Sequence, residues 1–297
     1  MTALMLYRDI RARLKSAGID GPADEAFIMM EHFCGLSRER LLTHGGGIDI
    51  SPEHVSRLCA AAERRGGNYP LQYIIGHWPF MGLELSVGDG VLIPRDDTEV
   101  LVTAVADWLK KQTQPNGSLL KGADLCAGTG AAALALCALC SGIEVAAVEK
   151  FDTAYEYMSE NIVAYPGLAV TAVKGDVLSP QLPGAAGLTE LDFIISNPPY
   201  IAAAELPNLQ PEVQREPKTA LDGGSDGLLF YRGITDIWLS HLKKGGALAF
   251  EIGEGQAEAV TAMMAAKGMT EIRVFKDLQG LDRAVRAVKS KEGIVNS

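Results

Sequence analysis

At 297 residues, with 47% hydrophobic and 22% charged side chains, the chain is long enough for two packed domains and too apolar for disorder. Its net charge of −10 excludes a bulk electrostatic grip on nucleic acid, because an acidic surface repels phosphate, although a local basic groove stays open. Five cysteines, an odd number in a chain too large to need staples, point to a reducing cytoplasm.

Met1 to Lys15 carries Arg8, Asp9, Arg11 and Arg13 among its apolar residues, so it does not read as a signal peptide. Residues 1–68 read as a helical domain. Leu6, Ile10 and Leu14 recur at helical spacing, and Gly18 with Gly21-Pro22 breaks the pattern. A second helix runs from about Ala23 through Phe33, and a short third covers Ser37 to Thr43. Ser51-Pro52-Glu53 opens a fourth, with Ser as N-cap, and Gly66-Gly67 ends it.

Residues 69–93 change period. Gln72 to Gly76 and Leu83 to Val87 read as two strands of a connecting hairpin. Residues 94–297 form the second domain. It begins with a helix after Pro94-Arg95, for which Asp96 or Asp97 is a reasonable cap, followed by a polar loop over Thr113 to Ser118.

Beyond it, strands at Ala123–Cys126, Val145–Val148, Ala169–Val173, Leu191–Ile195, Ala247–Ile252, Glu271–Phe275 and Ala284–Val288 alternate with helices at Ala131–Leu139, Thr153–Ala164, Leu228–Leu242 and Gln256–Ala266. Leu182 to Thr189 reads as a Gly/Ala-rich loop. The alternation of these seven strands with helices predicts an α/β fold, a Rossmann-like sheet paired in parallel, with helices on both faces and its ligand at the strands' carboxyl ends.

Leu125 to Ile143 is nineteen residues without a charge, near the length of a membrane span. Its Gly128-Thr129-Gly130 and its many alanines fit a buried loop and helix better, and no membrane association is expected. Cys137 and Cys140 form a lone C-x-x-C inside that helix and read as small core residues. The five scattered histidines lack ligand spacing, so no metal site is expected.

The chemistry sits at strand ends. Asp124-Leu125-Cys126-Ala127-Gly128-Thr129-Gly130 leads from a strand into a helix, and its glycines let backbone approach a ligand. Glu149 ends the next strand, placed to take both hydroxyls of a ribose, and Asp176 ends the third, where it can bond an adenine edge. Gly128-x-Gly130-x-x-Ala133 also fits the dinucleotide fingerprint, so the loop alone does not separate NAD from S-adenosylmethionine.

Ser196-Asn197-Pro198-Pro199-Tyr200 follows the fourth strand and separates them. Its prolines stop the ladder and stiffen the backbone. If the Asn197 side-chain oxygen and the Pro198 carbonyl each accept one N–H of a planar NH2 group, they aim its nitrogen at a methyl donor. Tyr200 can pack over the flat group.

These motifs resemble those of the protein-glutamine N5-methyltransferases of peptide chain release factors, the HemK/PrmC family. The resemblance covers nearly the whole chain. Besides Asn197 to Tyr200 it includes Gln72-Tyr73-Ile74-x-Gly76, Leu92-Ile93-Pro94-Arg95-x-x-Thr98-Glu99 and Glu216-Pro217-x-x-Ala220-Leu221. It continues through Asp226-Gly227-Leu228, Glu251-Ile252-Gly253-x-x-Gln256 and Lys276-Asp277-Leu278-x-Gly280.

The resemblance implies an S-adenosylmethionine-dependent enzyme that methylates the glutamine of a Gly-Gly-Gln loop, with the N-terminal helices helping to hold the release factor. It implies that Asp124, Cys126, Ala127, Gly128, Thr129, Gly130, Glu149 and Asp176 hold the cofactor. Asn197 then serves cofactor and substrate, Asn197, Pro198 and Tyr200 the catalysis, and Pro198, Pro199, Tyr200 and Phe80 the glutamine pocket. Arg95 and Glu99 belong to the signature without an assigned role. Where the family has Gly-Thr-Gly-Ser-Gly, this chain has Cys126-Ala127-Gly128-Thr129-Gly130, which puts a side chain beside the cofactor's methionine end. Two other readings remain at this point. One is an adenine-N6 or other amino methyltransferase of DNA or RNA, which shares Asn-Pro-Pro-Tyr; the other is a nucleoside-binding regulator without activity.

Overall fold

The computed structural model describes residues 1–112 and 118–291, so most of the polar loop expected over Thr113–Ser118 lies outside the described residues. The chain divides into two compact units, one of Met1–His77 with Gln210–Arg215, the other of Trp78–Leu209 with Glu216 onward.

The first unit is helical: α1 (Ala3–Ser16), α2 (Pro22–Cys34), α3 (Arg38–His44), α4 (Pro52–Gly66) and α5 (Leu71–Ile75). Thr2, Ser37 and Ser51 cap α1, α3 and α4 by accepting an N–H of the first turn. Leu6, Ile10 and Leu14 are fully buried, as their spacing requires. Among these apolar side chains Arg65 of α4, only 4% exposed, donates to Glu25 of α2 through Nε at 2.7 Å and Nη2 at 2.9 Å, and pairs with Glu212 at 2.7 Å. The strand expected at Gln72–Gly76 is instead α5, with Pro70 at its N-cap and left-handed Gly76 at its C-cap. A short apolar run carries no period that separates helix from strand, and here the flanking cap residues decide. The hairpin therefore begins only at His77, with β1 (His77–Phe80) and β2 (Leu83–Ser86).

In the second unit, α6 (Asp96–Leu109) precedes β3 (Leu120–Leu125), α7 (Ala131–Leu139), β4 (Ile143–Glu149), α8 (Asp152–Ala164) and β5 (Val170–Lys174). Then follow a four-residue helix α9 (Leu182–Ala185) where a plain loop was expected, β6 (Leu191–Ser196), α10 (Leu229–Trp238), β7 (Leu242–Glu251), α11 (Ala257–Ala266), β8 (Met269–Lys276) and β9 (Asp282–Lys289). Arg95 is the N-cap of α6 and makes no side-chain cap bond, so neither Asp96 nor Asp97 caps it; both lie in the first turn, where acidic charge suits the helix dipole.

The seven strands run in the order β5-β4-β3-β6-β7-β9-β8. Neighbours from β5 to β7 pair parallel, while β9 is antiparallel to both β7 and β8 because only a short turn separates β8 from β9. This is a seven-stranded Rossmann-like sheet. Alternating side chains feed two cores: Phe193 and Ile195 join α6 and α7 on one face, and Ile194 and Phe250 join α10 and α11 on the other. The uncharged run Leu125–Ile143 spans the end of β3, a loop and α7, and among the described residues no helix is long and apolar enough to cross a membrane.

Candidate active site

Strand order reverses between β3 and β6, and there the Ser196 hydroxyl donates to the Leu125 carbonyl at 2.6 Å, locking the two strand ends together. A cavity opens beside them, a concave site of about 1020 Å³ when the open solvent at its mouth is counted. It brings together Asp124, Cys126, Ala127, Gly128, Thr129, Glu149, Asp176, Asn197 and Pro199 in its lining.

The loop after β3 is shaped by backbone that most residues avoid. Gly128 and Gly130 have φ of +55° and +78°, and an added Cβ at Gly128 would meet nothing within 4 Å, so that side of the loop is open to a ligand. Cys126 adopts φ +65° as well, left-handed backbone that glycine takes without cost. Burial pushes its thiol well above the ordinary value, with Glu149 and Asp124 adding to the effect, so it is an inert wall residue.

Three carboxyls serve this loop in different ways. Asp124, 2% exposed, accepts the Ala133 N–H in the first turn of α7 at 3.1 Å. Burial pushes its carboxyl up to about 7, against the Ala133 bond and with help from Glu149. Glu149 accepts the Gly128 N–H at 3.0 Å on one oxygen, and the N–H groups of Lys150 and Phe151 at 2.7 and 2.8 Å on the other. Asp176 accepts the Leu178 N–H at 2.9 Å and pairs with Lys150 at 2.8 Å. Burial opposes its charge, but the Lys150 ammonium and the Leu178 N–H together hold its carboxyl below the ordinary value. Two acidic acceptors at neighbouring strand ends, an open glycine and apolar walls from Phe151, Val177, Leu178 and Phe230 fit an adenosyl group, the adenine stacking on apolar surface and the ribose meeting carboxylate.

Sequence reasoning missed the residues that hold this loop from a distance. Asn161 of α8 donates to the carbonyls of Thr129 and Ser86 and accepts the Ser86 N–H, tying the glycine loop to β2. Arg95 pairs with Glu216, whose other oxygen accepts the Ile93 N–H at 3.0 Å. Those bonds clamp the segment Ile93–Arg95 to the one carrying Pro217, Thr219 and Ala220, and both segments line the cavity.

After β6 the chain turns as the prolines dictate. Asn197 faces the cavity and its Nδ2 donates to Thr98 Oγ1 at 3.1 Å. Tyr200 is held away from the lining: its hydroxyl donates to Glu251 at 3.3 Å and its carbonyl accepts from Gln256 Nε2 at 2.9 Å. Pro198 is buried and also outside the lining, as is Gly130. Phe80, only 3% exposed, sits in the core cluster with Leu85, Leu101 and Val105 and not in the cavity. Among the described residues no cluster of His, Cys, Asp and Glu is arranged to hold a metal.

Two family descriptions match the chain: the PrmC N-terminal domain over residues 6–76 and the methyltransferase small domain over residues 102–228. A release factor glutamine methyltransferase of Moorella thermoacetica is 39% identical over 98% of this chain and all of its own length. One from Caulobacter vibrioides is 35% identical over 98% of this chain and 97% of its own. Among solved structures, the hMettl16 catalytic domain in complex with a MAT2A 3'UTR hairpin superposes with a TM-score of 0.53 at 16% identity, covering 84% of this chain and 85% of that one; at that identity it shows the fold alone.

Proposed function

Because this chain belongs to the release factor glutamine methyltransferase family, we propose that its cavity holds S-adenosylmethionine against Glu149 and Asp176 and presents a release-factor glutamine to Asn197, which lines it, and to the backbone carbonyl of the neighbouring Pro198. The activity itself is S-adenosylmethionine-dependent methylation of that glutamine on its side-chain nitrogen. When bound, the cofactor supplies a methyl group made electrophilic by its sulfonium sulfur. An amide nitrogen is a weak nucleophile because its lone pair is delocalised into the carbonyl. Asn197 Oδ1 and the Pro198 carbonyl each take one N–H of the glutamine, which fixes the nitrogen's orientation and stabilises the positive charge that develops on it as its bond to the methyl carbon forms, the methyl–sulfur bond breaks and one N–H proton leaves to solvent.

The observation that carries this reading is that Asn197 lines the same cavity as Gly128, Glu149 and Asp176, so donor and acceptor sites are contiguous. The net charge of −10 favours a protein acceptor over nucleic acid, and the helical unit is the element left to grip it. A release-factor substrate supports a cytoplasmic site for the reaction. Labelled S-adenosylmethionine offered with a release factor, DNA and RNA side by side tests the reading. Label in the release factor alone is expected; label in nucleic acid instead would overturn it.

A further inference from the structure

Glu251 ends β7, the strand beside β6, and is only 1% exposed. Thr98, in the first turn of α6, places Oγ1 at 2.6 Å from one of its oxygens, and the Tyr200 hydroxyl lies 3.3 Å from the other. An ionised carboxylate only accepts, so Thr98 gives its single hydroxyl proton to Glu251 and has only lone pairs left to offer. Asn197 meets those lone pairs at 3.1 Å, a place that only its amino end can fill.

We propose that Glu251 and Thr98 are positioning residues for methyl transfer: through this donor chain they fix which end of the Asn197 amide is left to face the acceptor glutamine. The amino end is spent on Thr98, so Oδ1 remains to accept an N–H from the substrate. In the flipped arrangement the Asn197 amino group opposes the glutamine amino group, donor against donor, and the nitrogen is not aimed. The inference rests on the reading of Asn197 as the glutamine's ligand.

The chain of donors depends on charge. Protonated Glu251 becomes a donor, which frees the Thr98 proton to go to Asn197 Oδ1 and allows the amide to flip. The groups that face Glu251 are Thr98 and Asp97 of α6, Tyr200 after β6, Arg283 of β9 and Tyr231 of α10. Burial pushes the Glu251 carboxyl up to about 7; the Thr98 bond opposes that, Asp97 adds to it, and Tyr200 and Arg283 oppose it. The wild-type kcat is therefore expected to fall on the acid side, as Glu251 takes up its proton.

The test compares Thr98→Val, Thr98→Ser and Glu251→Gln with wild type. It reads kcat and KM for a release factor, cofactor affinity by calorimetry, Tm, and the Asn197 side-chain NH2 signal in asparagine-labelled protein, assigned with Asn197→Ala. Thr98→Val is expected to lower kcat roughly ten- to hundred-fold, the scale of a misaimed group, and Glu251→Gln, whose amide oxygen can still accept from Thr98, to lower it less; both leave cofactor affinity within about threefold. Thr98→Ser keeps the hydroxyl and restores kcat. The acid limb disappears in Glu251→Gln, and the Asn197 NH2 signal shifts in Thr98→Val but not in Thr98→Ser. Undiminished kcat in a folded Thr98→Val, a Thr98→Ser as impaired as Thr98→Val, or cofactor affinity falling in step with kcat would each overturn the proposal. A wild type that leaves release factor unmodified while its Asn197 NH2 signal responds to Thr98→Val would support the clamp and count against the functional reading alone.

Discussion

Glu149 builds the loop that it faces: its Oε2 accepts the Gly128 N–H at 3.0 Å across the strand gap, while its Oε1 holds the start of α8 through Lys150 and Phe151. A carboxylate offers about four lone-pair sites, so three backbone donors leave room for a ribose hydroxyl. Glu149→Gln replaces one accepting oxygen by a donor and must lose at least one of these bonds. Cofactor affinity measured by calorimetry is expected to fall roughly tenfold or more. Transfer rate at saturating cofactor should fall much less. Unchanged affinity would remove Glu149 from the cofactor site.

Arg95 and Glu216 hold the cavity's two long segments together, and Glu216 also satisfies the N–H of Ile93, itself buried. Glu216→Ala orphans that N–H and is expected to cost about 2 kcal/mol in urea unfolding, whereas Glu216→Gln keeps an acceptor and costs less. Cofactor affinity should follow the same order. Equal losses for the two variants would mean that the buried N–H is satisfied in another way.

In the helical unit, Arg65 is a nearly buried cation held by Glu25 and Glu212. Removing the better buried partner leaves the charge underpaired, so Glu25→Ala is expected to destabilise by about 3 kcal/mol. Arg65→Met, which removes the cation itself, should cost less. Denaturant titration of both variants decides between them, and a milder Glu25→Ala would show that Glu212 alone suffices.

Asp124 makes stability depend on pH. Burial raises its carboxyl to about 7 in the folded chain, against about 3.9 for an unperturbed aspartate. The folded state binds this proton more tightly, so its contribution is complete below about pH 4 and is lost as pH rises through about 7. Asp124→Asn keeps an acceptor for the Ala133 N–H but cannot ionise. Its unfolding free energy should therefore decline less than that of wild type between those limits. Parallel curves would contradict the assignment.

The strands, the glycine loop and Asn197 were legible because each is written locally: apolar runs, glycines at a turn, prolines that stop a ladder. Gln72 to Gly76 was misread because a run of five residues carries no decisive period, and the caps at Pro70 and Gly76 outweigh the run. The clamps were not legible. Glu251 stands 153 residues from Thr98, and Glu216 stands 121 from Arg95, so only the closed sheet brings them together. Phe80 shows the converse limit. An aromatic in a hairpin near the site is as ready to fill core as to wall a pocket, and here it fills core.

The most direct measurement is mass-spectrometric mapping of a release factor after incubation with S-adenosylmethionine and either wild type or Asn197→Ala. One added methyl on the glutamine of the Gly-Gly-Gln loop is expected with wild type. None is expected with Asn197→Ala, although calorimetry should show that it still binds cofactor. A methyl group on another residue, or undiminished transfer by Asn197→Ala, would contradict the account.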